Sequence, residues 1–205
     1  MFATASALGC DKICERSLTT TTKTQATIED LYHVPGDGKA EIVNGELILM
    51  SPTGFWPSRA SGAIYRRLYE HERKTKSGYA IPDNAAFIVN LPNRRSFSPD
   101  AAWYTGRPTG MRFLEEAPVF AVEVRSEDDY GSFAEKRMAA KRRDYFAAGT
   151  LCVWDVDVLS DDLIKAYHSS DPENPIICRR GDMADAGDAV PGWSMAVDDL
   201  LPEEE

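Results

Sequence analysis

No stretch of this chain is apolar for the ~20 residues that a membrane-spanning helix needs. The first thirty residues also hold no apolar run long enough for a secretory signal. A soluble, cytoplasmic protein that makes no use of the membrane is therefore expected. Cysteine is scarce: Cys10, Cys14, Cys152 and Cys178 form no CxxC pair. The three histidines, His33, His71 and His168, are scattered. This spacing argues against a structural zinc site, and a cytoplasmic setting argues against disulfides. Cys152 lies in an apolar run and reads as a small core residue. There is no internal repeat.

Positive charge is also in deficit, with a net charge of −10. Such a balance is unfavourable for binding nucleic acid. Its distribution weakens that objection. From Gly181 to Glu205 there are eight acidic residues and no Lys or Arg, which leaves 25 acidic against 23 basic residues in positions 1–180. The acidity is largely a property of the C-terminal tail. Two basic concentrations remain, from Arg59 to Lys76 and from Lys136 to Arg143. They read either as phosphate contacts or as solvated helix faces.

Residues 1–26 contain the run Thr19 to Thr22, show no periodicity and read as a flexible extension. Residues 27–205 read as one domain. Asn44-Gly45 joins two short strands, 41–44 and 46–51, in a hairpin whose central residues need positive φ. Residues 57–76 predict a helix. Strands are expected at 85–91 and 96–104, with a turn between them. VFAVEVR, from Val119 to Arg125, predicts a buried central strand. Residues 132–148 predict a helix that Gly149 ends. Residues 151–158 and 163–168 predict further strands, and the tail from Gly181 onward reads as turns. A strand–helix–strand unit over 119–158 implies two parallel strands, while the hairpins imply antiparallel ones. The expected class is α/β, one mixed sheet flanked by helices.

Carboxylates in apolar surroundings are the chemical signal. Glu123 stands between Val122 and Val124, where an unpaired charge would cost several kcal/mol. It needs a cation, an arginine partner or an exposed face. Asp100 follows Ser98-Pro99 at the start of the preceding strand; it is either a turn residue or a second ligand beside Glu123. Two acids on consecutive strands suit Mg²⁺, which takes one or two carboxylates plus water and substrate phosphate. On the helix, a count of about 100° per residue from Ala134 puts Met138, Lys141, Tyr145 and Ala148 on one stripe. Lys141 on that stripe either meets the carboxylates or extends along it to water. Tyr145 either supports Lys141 or is simply a core residue. In the hairpin Glu41 pairs with Ile48 and shares a face with Val43 and Met50, again among apolar neighbours.

The segments AEIVNGELILMSPTG, SFSPDAAWY, APVFAVEVRS and KRRDYFAAGTLCVWDVD resemble the Uma-type family of bacterial proteins. That family is placed in the PD-(D/E)xK restriction-endonuclease-like superfamily. The resemblance spans roughly residues 28–200, and the order of its short motifs is more specific than any one of them. It implies a restriction-endonuclease-like mixed β-sheet flanked by α-helices, and a Mg²⁺-dependent nuclease site with Mn²⁺ as a substitute. The acidic positions correspond to Glu41, Asp100 and Glu123. The superfamily's usual lysine, two residues after the second acid, is replaced by Arg125. In Uma-type proteins a lysine on the next helix takes its place, here Lys141. Arginine stays protonated and cannot act as a general base, so Arg125 is expected to bind phosphate.

The expected chemistry is hydrolysis of nucleic-acid phosphodiesters, with DNA as the substrate. Glu41, Asp100 and Glu123 are the expected metal ligands and Lys141 completes the catalytic set. A homodimer is expected by analogy, because cutting a duplex with one site per chain calls for two copies. The alternative is a binding or regulatory module that keeps the nuclease fold without turnover.

Overall fold

The structure, a computed structural model, describes residues 25–34 and 38–201. The expected extension at 1–26, with Cys10 and Cys14, lies almost wholly outside these residues, as does the acidic end Glu203 to Glu205.

The chain enters through a short helix α1 (Ile28–Tyr32) whose N-terminus is closed by a capping box of Thr27 and Asp30. Strands β1 (Ala40–Val43) and β2 (Glu46–Leu49) form the expected hairpin. Asn44 at φ 51° and Gly45 at φ 74° make its turn. The register pairs Glu41 with Ile48 and Val43 with Glu46. β1 is buried on both sides. Ile42 packs with Leu31, Val34 and Ala86, while Glu41 points the opposite way.

Helix α2 (Phe55–Thr75) begins two residues earlier than expected, because Pro57 is tolerated anywhere in the first turn, where no intrahelical N–H bond is lost. Strand β3 (Tyr79–Pro82) follows, unforeseen from the sequence. The two long strands expected at 85–91 and 96–104 are three short ones: β4 (Phe87–Ile88), β5 (Ser96–Phe97) and β6 (Ala101–Tyr104). Pro99 lacks an N–H and interrupts the run. β5 pairs with β4, whose other neighbour is β7 (Leu114–Glu115), while β6 joins the main sheet. Next come β8 (Phe120–Val124), α3 (Ser132–Ala147) and β9 (Cys152–Val156). Gly149, at φ 102°, follows the helix. The chain continues through β10 (Ile164–His168), β11 (Asp171–Cys178), β12 (Met183–Asp185) and β13 (Ser194–Ala196).

The main sheet has the order β11-β10-β9-β8-β6-β3. β8 and β9 run parallel and the other neighbours antiparallel. Alternation along β8 sends Phe120, Val122 and Val124 to one face, where they pack with Ile64 and Leu68 of α2. Ala121 goes to the other face, with Tyr145 of α3 and Val153, and Glu123 shares that face by period two. Helices thus cover both sides of a mixed sheet, as expected. Among the described residues no helix is long and apolar enough to cross a membrane.

The C-terminal segment departs from expectation. It is not simply a turn-rich acidic tail. Ala184, Ala186, Val190, Trp193, Met195, Val197 and Leu200 are buried in the α2-side core. Trp193 lies 5.3 Å from Trp154 and 5.7 Å from Phe120, ring centre to ring centre. The acidic residues occupy the outward positions between the buried ones, and Asp199 accepts from Arg67 of α2 at 2.7 Å. Trp193→Ala is therefore expected to lower unfolding free energy by about 3–5 kcal/mol in a denaturant titration. A loss under about 1 kcal/mol would show the segment to be a solvated tail.

Candidate active site

β6 and β8 are antiparallel neighbours with Ala101 opposite Val122. The break at Pro99 leaves Asp100 at the entrance to β6, beside the exit of β8. There the Val124 N–H donates to Asp100 Oδ2 at 2.7 Å. Asp100 Oδ1 accepts from Lys39 Nζ, also at 2.7 Å.

Glu123 projects toward α3. Lys141 Nζ donates to its Oε2 at 2.7 Å, and the Tyr145 hydroxyl donates to its Oε1 at 2.7 Å. The helical stripe therefore delivers both groups to one carboxylate. Tyr145 is buried and also stacks on Phe97 at 3.9 Å, so it is a core residue and a support at once. Lys141 reaches Glu41 Oε1 as well, at 2.8 Å. The expected convergence of Glu41, Glu123 and Lys141 is present. Asp100 contacts none of these three directly, but its charge acts on Glu123.

Glu41 is only 3% exposed and has further partners. Its Oε1 accepts from the Ser98 N–H at 2.9 Å and its Oε2 from Arg94. Arg94 is itself buried and donates to Asp144 Oδ2 at 2.8 Å. Asn93 donates to the other Asp144 oxygen at 2.9 Å. Glu41 is thus an anchor surrounded by donors. Among the described residues no three His, Cys, Asp or Glu side chains are gathered as a cage for a metal ion.

Sequence reasoning passed over Lys39, Asp83, Arg94 and Asp144. Arg94 carried a signal, since a buried Glu41 needs a cation. Lys39 and Asp83 lie outside any periodic element and carried none.

Arg125 has a different place from the one expected. It is 4% exposed and donates to both oxygens of buried Asp155 at 2.8 Å. Its other side binds Glu135 in the first turn of α3. A guanidinium with its donors occupied on two carboxylates is not open to phosphate. Arg125 instead staples α3 to β9, its donors turned to carboxylates and not free for the expected phosphate.

A sequence model of the Uma2 family, described as "Putative restriction endonuclease", matches residues 26–198. The chain belongs to the Uma2 family. No match was found among curated proteins. Among solved structures, the crystal structure of a putative nuclease belonging to DUF820 from Anabaena variabilis ATCC 29413 is similar in fold. The TM-score is 0.67 at 14% identity, over 85% of this chain and 97% of that one. At that identity the likeness concerns the fold, a nuclease-type mixed sheet flanked by helices.

The charges of the Uma2 site do not balance. Among the described residues, Glu41, Asp83, Asp100, Glu123 and Asp144 form ion pairs with three cations, Lys39, Arg94 and Lys141. The imbalance shows where it is least compensated. Burial opposes the charge of Glu41, but Lys141 and Arg94 outweigh it and hold this carboxyl below its ordinary value. Burial, with the charges of Asp100 and Glu41, pushes Glu123 up to about 7 against the pull of Lys141 and Lys39.

Two outcomes follow for the protein. A carboxyl raised on folding stabilises the native state below its ordinary value of 4.5, and loses that contribution as pH rises toward 7. Glu123→Gln stays neutral throughout. It is expected to raise Tm at about pH 8 and to flatten the decline in Tm on the alkaline side of 4.5. A lower Tm than the parent at that pH would contradict this account of the charges. Arg125→Ala removes both close hydrogen bonds to buried Asp155, leaving it the 3.5 Å contact with Arg142, and is expected to cost about 3 kcal/mol in denaturant unfolding; an unchanged midpoint would show that the staple is dispensable.

Proposed function

We propose that this chain is a Mg²⁺-dependent endonuclease that hydrolyses phosphodiester bonds of DNA, with Mn²⁺ as a substitute ion. The observation that carries the reading is the meeting of Asp100 and Glu123 at the adjoining ends of β6 and β8. An inward lysine pairs with the second carboxylate, and uncompensated negative charge remains. Membership in a family described as putative restriction endonucleases supports it.

The residues fit a hard divalent cation. Two partly exposed carboxylates, 22% for Asp100 and 19% for Glu123, are a usual Mg²⁺ donor set, and two positive charges would offset the excess of two carboxylates in the cluster. Asp100 and Glu123 would hold the ion. Glu41, expected as a third ligand, serves in this reading as the anchor of Lys141. When bound, Mg²⁺ supplies Lewis acidity, making water a better nucleophile and offsetting charge on the scissile phosphate.

The protein's own groups do the rest. Tyr145 and Lys141 fix the two oxygens of Glu123, and the Val124 N–H and Lys39 fix those of Asp100, so both carboxylates are set before any ligand arrives. Lys141, held by Glu41, keeps its ammonium beside Glu123. There it orients the attacking water and stabilises charge that develops on the phosphate. The water oxygen forms a bond to phosphorus, the bond to the leaving sugar oxygen breaks, and that oxygen takes up a proton. Two copies acting as a homodimer would place one site on each strand of a duplex.

The test is cleavage of supercoiled and linear DNA by the purified full chain, with MgCl₂ or MnCl₂ and with EDTA. Cleavage is expected only with metal. Asp100→Asn, Glu123→Gln and Lys141→Met should each reduce it by at least about a hundredfold, the loss typical of a missing acid–base or electrostatic group. Circular dichroism must show the variants folded. A folded parent that cuts neither DNA nor RNA with either metal would favour the non-catalytic binding module.

A further inference from the structure

Resting on the proposed Mg²⁺ site, we infer that Lys39 is a built-in counter-ion: it takes the place of the divalent cation at Asp100 in the metal-free protein and withdraws to Asp83 when the ion binds.

The geometry gives this lysine two alternatives. Its ammonium lies 2.7 Å from Asp100 Oδ1 and 2.7 Å from Asp83 Oδ1. Asp100 is the more enclosed of the two, 22% exposed, whereas Asp83 is 42% exposed at the solvent side. The charge of Lys39 also acts on Glu123. One ammonium therefore serves both carboxylates assigned to the metal, although it contacts only Asp100.

The backbone of Lys39 is fixed independently of its side chain. Its carbonyl accepts from the Met50 N–H at 2.9 Å, in line with the β1–β2 hairpin. Movement is thus confined to a long side chain with several rotatable bonds. Asp83 is held ready, with the Asn84 N–H donating to the same Oδ1 at 2.6 Å. A lysine leaving Asp100 keeps one carboxylate partner and need not stand uncompensated. Asp100, for its part, keeps the Val124 N–H on its other oxygen and stays oriented.

A tethered monovalent cation lowers the affinity of a site for a divalent one, because the ion must displace it. Removing the tether and removing its refuge have opposite consequences. Lys39→Met should tighten Mg²⁺ binding on the order of tenfold, since a cation in direct contact no longer competes. Asp83→Asn should weaken it by a few-fold, since Lys39 then has only Asp100. Neither change removes a direct contact of Lys141, Tyr145 or Glu123.

The experiment is calorimetry of MgCl₂ into EDTA-stripped full chain without nucleic acid, with the Mg²⁺-induced rise in Tm as a second readout. Tighter binding by Lys39→Met together with weaker binding by Asp83→Asn supports the inference. Equal affinity in the parent and both variants, or weaker binding by Lys39→Met, overturns it and leaves the metal site standing. Binding by Lys39→Met where the parent shows none supports it in its strongest form. No binding by the parent or either variant overturns the metal site and the counter-ion together.

Discussion

Three parts of the chain, distant in sequence, meet on one ammonium group. Lys141 of α3 touches Glu123 of the central strand β8 and Glu41 of the N-terminal hairpin. Everything else in the site is arranged around that contact. Tyr145, one turn further along α3, holds the second oxygen of Glu123 and packs on Phe97, so the stripe of the helix that meets the carboxylates is also its core stripe. Arg94 closes the far side of Glu41 and returns to α3 through Asp144. The hairpin, sheet and helix are thereby locked into a single geometry by charge, in a place where apolar packing would hold them more simply.

Such an arrangement carries a tension. A fold selected for stability alone would not gather more carboxylates than cations in a partly buried cleft. The conflict falls on Glu123, which burial and the neighbouring acids push up to about 7. Close by, Arg125 and Arg142 face Asp155 and Glu135, two cations against two carboxylates, in a compensated network that fixes the start of α3 to the sheet. The contrast separates structural from chemical roles. Where the charges cancel, the group is a staple; where they do not, the excess negative charge is what the proposed metal site rests on.

Much of this was legible in the sequence, for physical reasons. The Asn44-Gly45 turn sets the hairpin register, and with it the inward position of Glu41. The periodicity of the 132–148 helix places Lys141 and Tyr145 together. The apolar run around Glu123 marks a central strand. What was not legible depended on tertiary context. Asp-Pro-Glu-Asn-Pro at 171–175 argues against a strand, yet β11 is an edge strand, where a missing N–H faces no neighbour. The buried alanines of 184–189 are masked by the acids between them. Arg125 and Arg94 are both arginines beside acidic motifs, and no local pattern distinguishes the staple of α3 from the partner of Glu41. Lys39 and Asp83 are brought to Asp100 only by the pairing of β3 with β6 and the seating of the hairpin.

The central claim is that Asp100 and Glu123 together receive a divalent cation beside Lys141. Crystals grown with MnCl₂ test it most directly, through anomalous scattering at the manganese edge. The account predicts a single strong peak bonded to a carboxylate oxygen of each residue, with Lys141 still on Glu41. No peak there, with both carboxylates still paired to their lysines at saturating manganese, would contradict it.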